Sequence, residues 1–218
     1  MTRYDRIMRG AAIWASYYRA NLHRFAKDYL HLELKLFQKI LLVMMNVCYT
    51  FVYIASRGQG KSFLCAIFIC CRAILYPGSK IVIASGTRGQ AINVLEKIML
   101  ELKPRSPELA NELDEKQCRM NGTNAILVWK NGSYCKVVTA GESARGNRAH
   151  ILILDEFRLI SKDTIDTILK KFLAVERSPA YTELTEGERI AQREKERNKQ
   201  LYLSSAYFQD HWSYLKCT

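Results

Sequence analysis

CYTFVYIASRGQGKSFLCAIFICCRAIL, residues 48–75, decides the fold. It opens with eight residues that are mostly aromatic and β-branched, the signature of a buried strand. It closes with thirteen residues, 63–75, apolar but for Arg72, the signature of a buried helix. Between them lies ASRGQGKS, residues 55–62. This matches the phosphate-loop pattern GxxxxGK[ST] at every position but the first, where Ala55 replaces glycine. Strand, glycine loop and helix together are the context that gives such a match weight. Gly58 and Gly60 allow a tight backbone turn, so that successive N–H groups, Gln59 included, face phosphate oxygens. The helix start adds its positive field. Lys61 then reaches the β- and γ-phosphates, and Ser62 supplies a hydroxyl to Mg²⁺.

Downstream, ILILDE (151–156) is a second buried strand, ending in two acids. In an open α/β sheet the ligand binds beyond the carboxyl ends of the strands. Asp155 is therefore expected in the Mg²⁺ shell, and Glu156 as the group that orients and deprotonates an attacking water. A glutamate at that place points to hydrolysis rather than to nucleotide binding alone. Arg57 in the loop, and Arg145 and Arg148 just before the acidic strand, are candidates to offset charge as the γ-phosphate leaves. A DNA contact or a loop anchor accounts equally well for the last two. Ser204 and Ser205 end the run LYLSSA (201–206), either sensing the γ-phosphate or capping a strand. Gln38, in a helix before the loop, has an amide suited to the N6/N7 edge of adenine. Thr87, Arg88 and Gln90 follow another strand, as a nucleic-acid contact or a plain helix start.

The rest of the chain supplies alternating elements. Helices are expected over 3–29, 34–46, 61–75, 88–102, 161–173 and 185–200. Strands are expected at 48–55, 80–85, 151–156 and 201–206. NAILVW (124–129), Asn131-Gly132 and SYCKVVTA (133–140) read as a hairpin. Pro104 and Pro107 interrupt, and 108–122 reads as polar and irregular. Strands alternating with helices predict an α/β fold with a mostly parallel central sheet flanked by helices. We divide the chain into a basic helical region, 1–33, and a phosphate-loop domain, 34–218.

Composition bounds the function. The 218 residues carry 33 Lys and Arg against 21 Asp and Glu, a formal net charge of +12. That favours a polyanionic partner such as DNA or RNA. The seven cysteines form no CxxC pair and read as small buried hydrophobes in a reducing compartment. The four histidines show no zinc spacing. The apolar run 40–55 is shorter than the roughly 18 residues of a membrane span, so no membrane role is expected. No signal peptide is read at the start of the chain.

Taken in order, FQ (37–38), ASRGQGKS (55–62), IVIASGTRGQA (81–91), NGSYCKVVTAGESARG (131–146), ILILDE (151–156) and LSSA (203–206) resemble the N-terminal ATPase domain of the large terminase subunit. That subunit is the DNA-packaging motor of tailed bacteriophages. The resemblance implies a P-loop NTPase of the additional-strand-catalytic-Glu type, with a β-hairpin before the Walker B strand. It implies ATP and Mg²⁺ as ligands and hydrolysis driving double-stranded viral DNA into a procapsid. It matches Gln38 to an adenine contact, and Arg57, Lys61 and Ser62 to Walker A. Asp155 and Glu156 match Walker B, Arg145 or Arg148 an arginine with a finger or structural role, and Ser204 and Ser205 the coupling motif. Implied partners are DNA, the small terminase subunit, the portal and procapsid, and further copies in a ring. The implied place is the cytoplasm of the infected host, with transient docking on the procapsid. The family's nuclease domain has no counterpart before Thr218, so no nuclease activity is expected and the ATPase domain reads as C-terminally truncated. A helicase-like nucleic-acid-dependent ATPase and a non-catalytic DNA-binding or assembly protein are the alternatives.

Overall fold

The computed structural model describes residues 2–56, 58–120, 125–141, 144–177, 197–205 and 212–215. Its centre is a six-stranded sheet of β1 (Thr50–Ile54), β2 (Lys80–Ser85), β3 (Ile126–Val128), β4 (Tyr134–Thr139), β5 (Ile151–Asp155) and β6 (Lys199–Ser204). The spatial order is β1-β6-β5-β2-β4-β3. Every pairing is parallel except that of β3 with β4, the predicted hairpin. Gly132 takes φ +82° in its turn, where glycine carries no Cβ penalty.

Side-chain alternation builds the two layers. Ile81 and Ile83, Ile151 and Ile153, and Leu201 and Leu203 face one way into the larger core. The helices α2 (Leu22–Asp28), α3 (Leu36–Val47) and α4 (Lys61–Leu75) contribute to that core. Val82, Ala84, Leu152, Leu154 and Tyr202 face the other way. They pack under Phe157 and a helical segment that starts as α7 (Lys162–Thr164), continues as a π turn (Ile165–Leu169) and ends as a 3-10 turn (Lys170–Ala174). Ile153 sits at the middle of this double layer, fully buried; cutting such a side chain to alanine costs about 3 kcal/mol. α4 is buried along nearly its whole length, which accounts for its unbroken apolar sequence.

Several expectations are corrected. β1 was expected to be fully buried, but it is the edge strand, with Thr50 and Ile54 exposed. Residues 108–122 were expected to be irregular. Instead Ser106 caps α6 (Pro107–Glu112), its hydroxyl accepting from the Leu109 N–H, and Pro107 occupies the first turn, where its missing N–H costs nothing. Beyond it, Leu113 and Arg119 bridge to Trp129 and Ile126. The region 88–102 is helical, as α5 (Arg88–Glu96) running into a π turn (Lys97–Leu102). The predicted helix 185–200 falls largely outside the described residues, and its last two, Lys199 and Gln200, belong to β6.

The N-terminal helix α1 (Arg3–Ala20) buries no residue fully. Its Trp14 and Tyr18 join an aromatic cluster with Phe25 and Tyr29. Among the described residues no helix is long and apolar enough to cross a membrane. Cys65, Cys70, Cys71 and Cys135 are buried free thiols, and burial pushes their pKa values up.

Candidate nucleotide site

Parallel pairing lines up the carboxyl ends of five strands. Tyr53, Leu203, Asp155, Ser85 and Thr139 form one transverse row. Asp155 has the same parity as Ile151 and Ile153, so its side chain faces the layer that holds α4. There it meets the first turn of α4: the Lys61 charge acts on Asp155, and Asp155 in turn acts on Cys65, one helical turn further on. Asp155 is 5% exposed. Burial pushes its carboxyl up to about 6, and the Glu156 charge adds to this, while the Glu156 backbone N–H and Lys61 pull the other way.

The loop between β1 and α4 is shaped by glycine. Gly58 and Gly60 have φ +83° and +74°, and Gly60 stands at the N-cap of α4. Lys61 curls back, its Nζ donating to the carbonyls of Ala55 at 2.7 Å and Ser56 at 3.2 Å. Ser62 lies in the first turn of α4, half-buried. Gln38 is brought to the same loop. Its Oε1 accepts from the Lys35 N–H at 2.9 Å, capping α3, and its Nε2 lies 3.9 Å from where a Cβ on Gly60 would stand.

Glu156 follows β5 with φ +47° and ψ +49°, a left-handed conformation rarely adopted by residues other than glycine. Its Oε2 accepts from Arg158 Nε at 3.1 Å and from the hydroxyls of Ser204 and Ser205, each at 3.3 Å. The Ser205 N–H points at the same oxygen from 3.5 Å. Burial pushes the Glu156 carboxyl up, but the Arg158 and Ser205 hydrogen bonds, with the Arg158 and Lys61 charges, outweigh it and hold it below its usual range. The position of β6 between β1 and β5 explains the serine contacts, since the strand delivers Ser204 and Ser205 between loop and acids. The Ala55 N–H donates to the Ser204 carbonyl at 3.1 Å, extending the ladder into the loop. A chain of contacts therefore runs Lys61–Ala55–Ser204–Glu156–Arg158. Gly86, just after β2, packs closely on the turn after Glu156, where a Cβ would come within 3.3 Å of Leu159.

The structure thus gathers Gln38, Gly58, Gly60, Lys61, Asp155, Glu156, Ser204 and Ser205 at one end of the sheet. Gln59 lies on the same loop, its N–H reaching the Ser56 carbonyl at 3.4 Å. Arg57 lies outside the described residues. Arg145 is exposed on the crossing loop between β4 and β5. Arg148 is not brought to the acids. It precedes β5 at the opposite end of the strands, where its carbonyl accepts from the Tyr134 hydroxyl and its guanidinium donates to the Asn147 carbonyl. Arg158 is the residue that the sequence reading missed. An arginine two positions past a strand-end acid has no signature that separates it from any residue of a first helical turn.

No curated protein matches the chain. Solved structures match its fold. The large terminase of bacteriophage HK97 superimposes with a TM-score of 0.56 at 19% identity, over 80% of this chain and 33% of that one. The large terminase ATPase domain of Thermus phage P74-26 gives 0.56 at 14% identity, over 87% of each chain. A point mutant of that domain gives 0.60 at 15% identity, over 87% of this chain and 71% of that one. The chain thus spans about a third of the HK97 large terminase. The family model "Terminase large subunit, T4likevirus-type, N-terminal" matches residues 52–185, from the strand before the phosphate loop to beyond the acidic pair. That match takes in more than half of the 218 residues, and the chain belongs to this terminase large-subunit family.

Proposed function

We propose that the chain hydrolyses ATP and that the hydrolysis drives double-stranded viral DNA into a procapsid. The observation that carries this reading is the convergence on Glu156. A carboxylate at the end of β5 is joined by hydrogen bonds to the end of β6, and β6 is joined to the phosphate loop. In this reading Lys61 and the N–H groups of residues 58–60 hold the β- and γ-phosphates, Gln38 meets the adenine, and Glu156 takes the proton of the attacking water. Ser204 and Ser205 pass the state of Glu156 to the rest of the molecule. Arg57, or Arg145 or Arg148 of a neighbouring copy, offsets the developing charge. Residues 1–33 form a helical region beside a phosphate-loop domain that starts at residue 34.

The residues suit a divalent cation. Asp155 is a buried carboxylate raised by burial and by an adjacent acid, so a bound dication relieves the strain of that pair. Ser62 and Asp155 would hold Mg²⁺, which neutralises phosphate charge when bound. DNA, the small terminase subunit, the portal and procapsid, and further copies in a ring are the partners this function calls for. It places the protein in the cytoplasm of an infected bacterium, docked transiently on the procapsid.

Steady-state ATP hydrolysis by the purified chain, with and without double-stranded DNA, tests the proposal. Glu156→Gln should lower turnover by at least about 10²-fold, the usual size of a general-base contribution, while leaving ATP binding intact. Hydrolysis that survives the substitution would remove Glu156 from this role.

A further inference from the structure

Arg158 and the two serines meet at one atom. Four donors, from Arg158, Ser204 and Ser205, converge on Glu156 Oε2 at 3.1 to 3.5 Å. They come from two elements, the 3-10 turn Phe157–Leu159 and the end of β6. Arg158 and Glu156 are both largely shielded, with side chains 17% and 20% exposed, so their ion pair lies in a poorly screened setting. The left-handed backbone at Glu156 does not by itself fix where the carboxylate points, and such a conformation persists only where its surroundings impose it. Among the described residues, the hydrogen bonds to this carboxylate all fall on Oε2. The other oxygen, Oε1, is left as the acceptor for a proton.

We propose that Arg158 is a positioning residue, which clamps Glu156 by Oε2 against the end of β6 and thereby aims Oε1 at the reacting water. The proposal rests on the reading of Glu156 as general base and extends it to the residue that holds its carboxylate. The serines alone do not replace the clamp. They come from the end of β6 only, whereas Arg158 comes from the turn that follows β5 and supplies the only formal charge among the four donors. A carboxylate oxygen has about two lone-pair sites, so the four donors share them, and without Arg158 the carboxylate keeps only the neutral donors at the end of β6.

Two measurements on the full chain test this. The first is kinetic. Arg158→Gln should lower kcat roughly 10-fold, leave KM for ATP within about 2-fold, and have no further effect on the residual rate of Glu156→Gln. Arg158→Lys should recover part of the loss, because it restores the charge without the guanidinium geometry. An equal rise in KM, an unchanged kcat, or a fall that persists in the Glu156→Gln background would overturn the proposal. The second needs no activity. The Tm shifts of Arg158→Gln and Glu156→Gln should be non-additive, the double variant losing less than the sum of the two. Additive shifts mean that the clamp does not exist, whatever the turnover. Wild-type hydrolysis that is insensitive to Glu156→Gln instead sinks the general-base reading, while coupled Tm shifts would leave the clamp in place.

Discussion

At the scale of single residues, Lys61 shows how a loop prepares for an anion. Its ammonium already donates to two loop carbonyls, so it is held over the loop rather than extended into solvent. Phosphate oxygens would take over these donors as charge-assisted hydrogen bonds, each contributing about 1.5–3 kcal/mol. Lys61→Ala should therefore weaken ATP binding by at least about 10-fold, measured by titration with a fluorescent ATP analogue. An unchanged affinity would show that the loop binds by its backbone alone. The sequence located this residue because glycine, lysine and serine at fixed spacing express a backbone requirement. It also located Asp155 and Glu156, because an apolar run that stops at two acids marks the end of a central strand. It did not locate Arg158, whose significance comes from facing β6, a strand that begins about forty residues later. It placed Arg148 near the acids in sequence, but the crossing from β4 back to the start of β5 carries it to the other end of the sheet.

At the scale of elements, the hydrophobic pattern reported which segments are strands but not which neighbours they have. β1 carries as many apolar residues as a central strand, yet among the described residues it pairs only with β6. The other end of β6 holds a further consequence of packing. Lys199, its first residue, is 1% exposed, donates from Nζ to the Cys48 carbonyl at 2.9 Å, and lies 5.3 Å from the centre of the Tyr49 ring. Burial pushes its pKa from 10.5 down to about 7, with the Arg72 charge acting in the same direction. Between about pH 7 and 10 the unfolded chain binds this proton and the folded one does not, so stability from this group rises with pH and is lost as pH falls through about 7. Relative to Lys199→Met, the wild type should therefore gain about 1.5 kcal/mol between about pH 7 and 8.5, the slope rising from half of roughly 1.36 kcal/mol per unit at about pH 7 toward the full value. Urea unfolding of both proteins at the two pH values checks this, and parallel stability curves would show that Lys199 stays charged where it is. The sequence placed this lysine in the charged helix 185–200, and nothing in KQLYLS marked it as buried, because its burial depends on Cys48 and Tyr49.

At the scale of the whole molecule, the net charge of +12 favours a polyanionic partner. The proposed motor must hold DNA and still let it slide, which phosphate contacts permit because they carry no sequence information. Such contacts release counterions, so affinity must fall steeply with salt, with a slope of about −0.9 per phosphate neutralised. A footprint of about six phosphates lowers the affinity roughly 10³-fold between about 50 and 200 mM salt. Fluorescence anisotropy with two duplexes of unrelated sequence measures both properties at once. We expect the same steep slope for both duplexes and no preference between them. A flat salt response would assign the positive charge to solubility or to a protein partner. A strong preference for one duplex would mean base contacts, which hold a protein at one site and are incompatible with a translocating track. Either outcome would separate nucleotide hydrolysis at Glu156 from movement along DNA, and leave the first standing without the second.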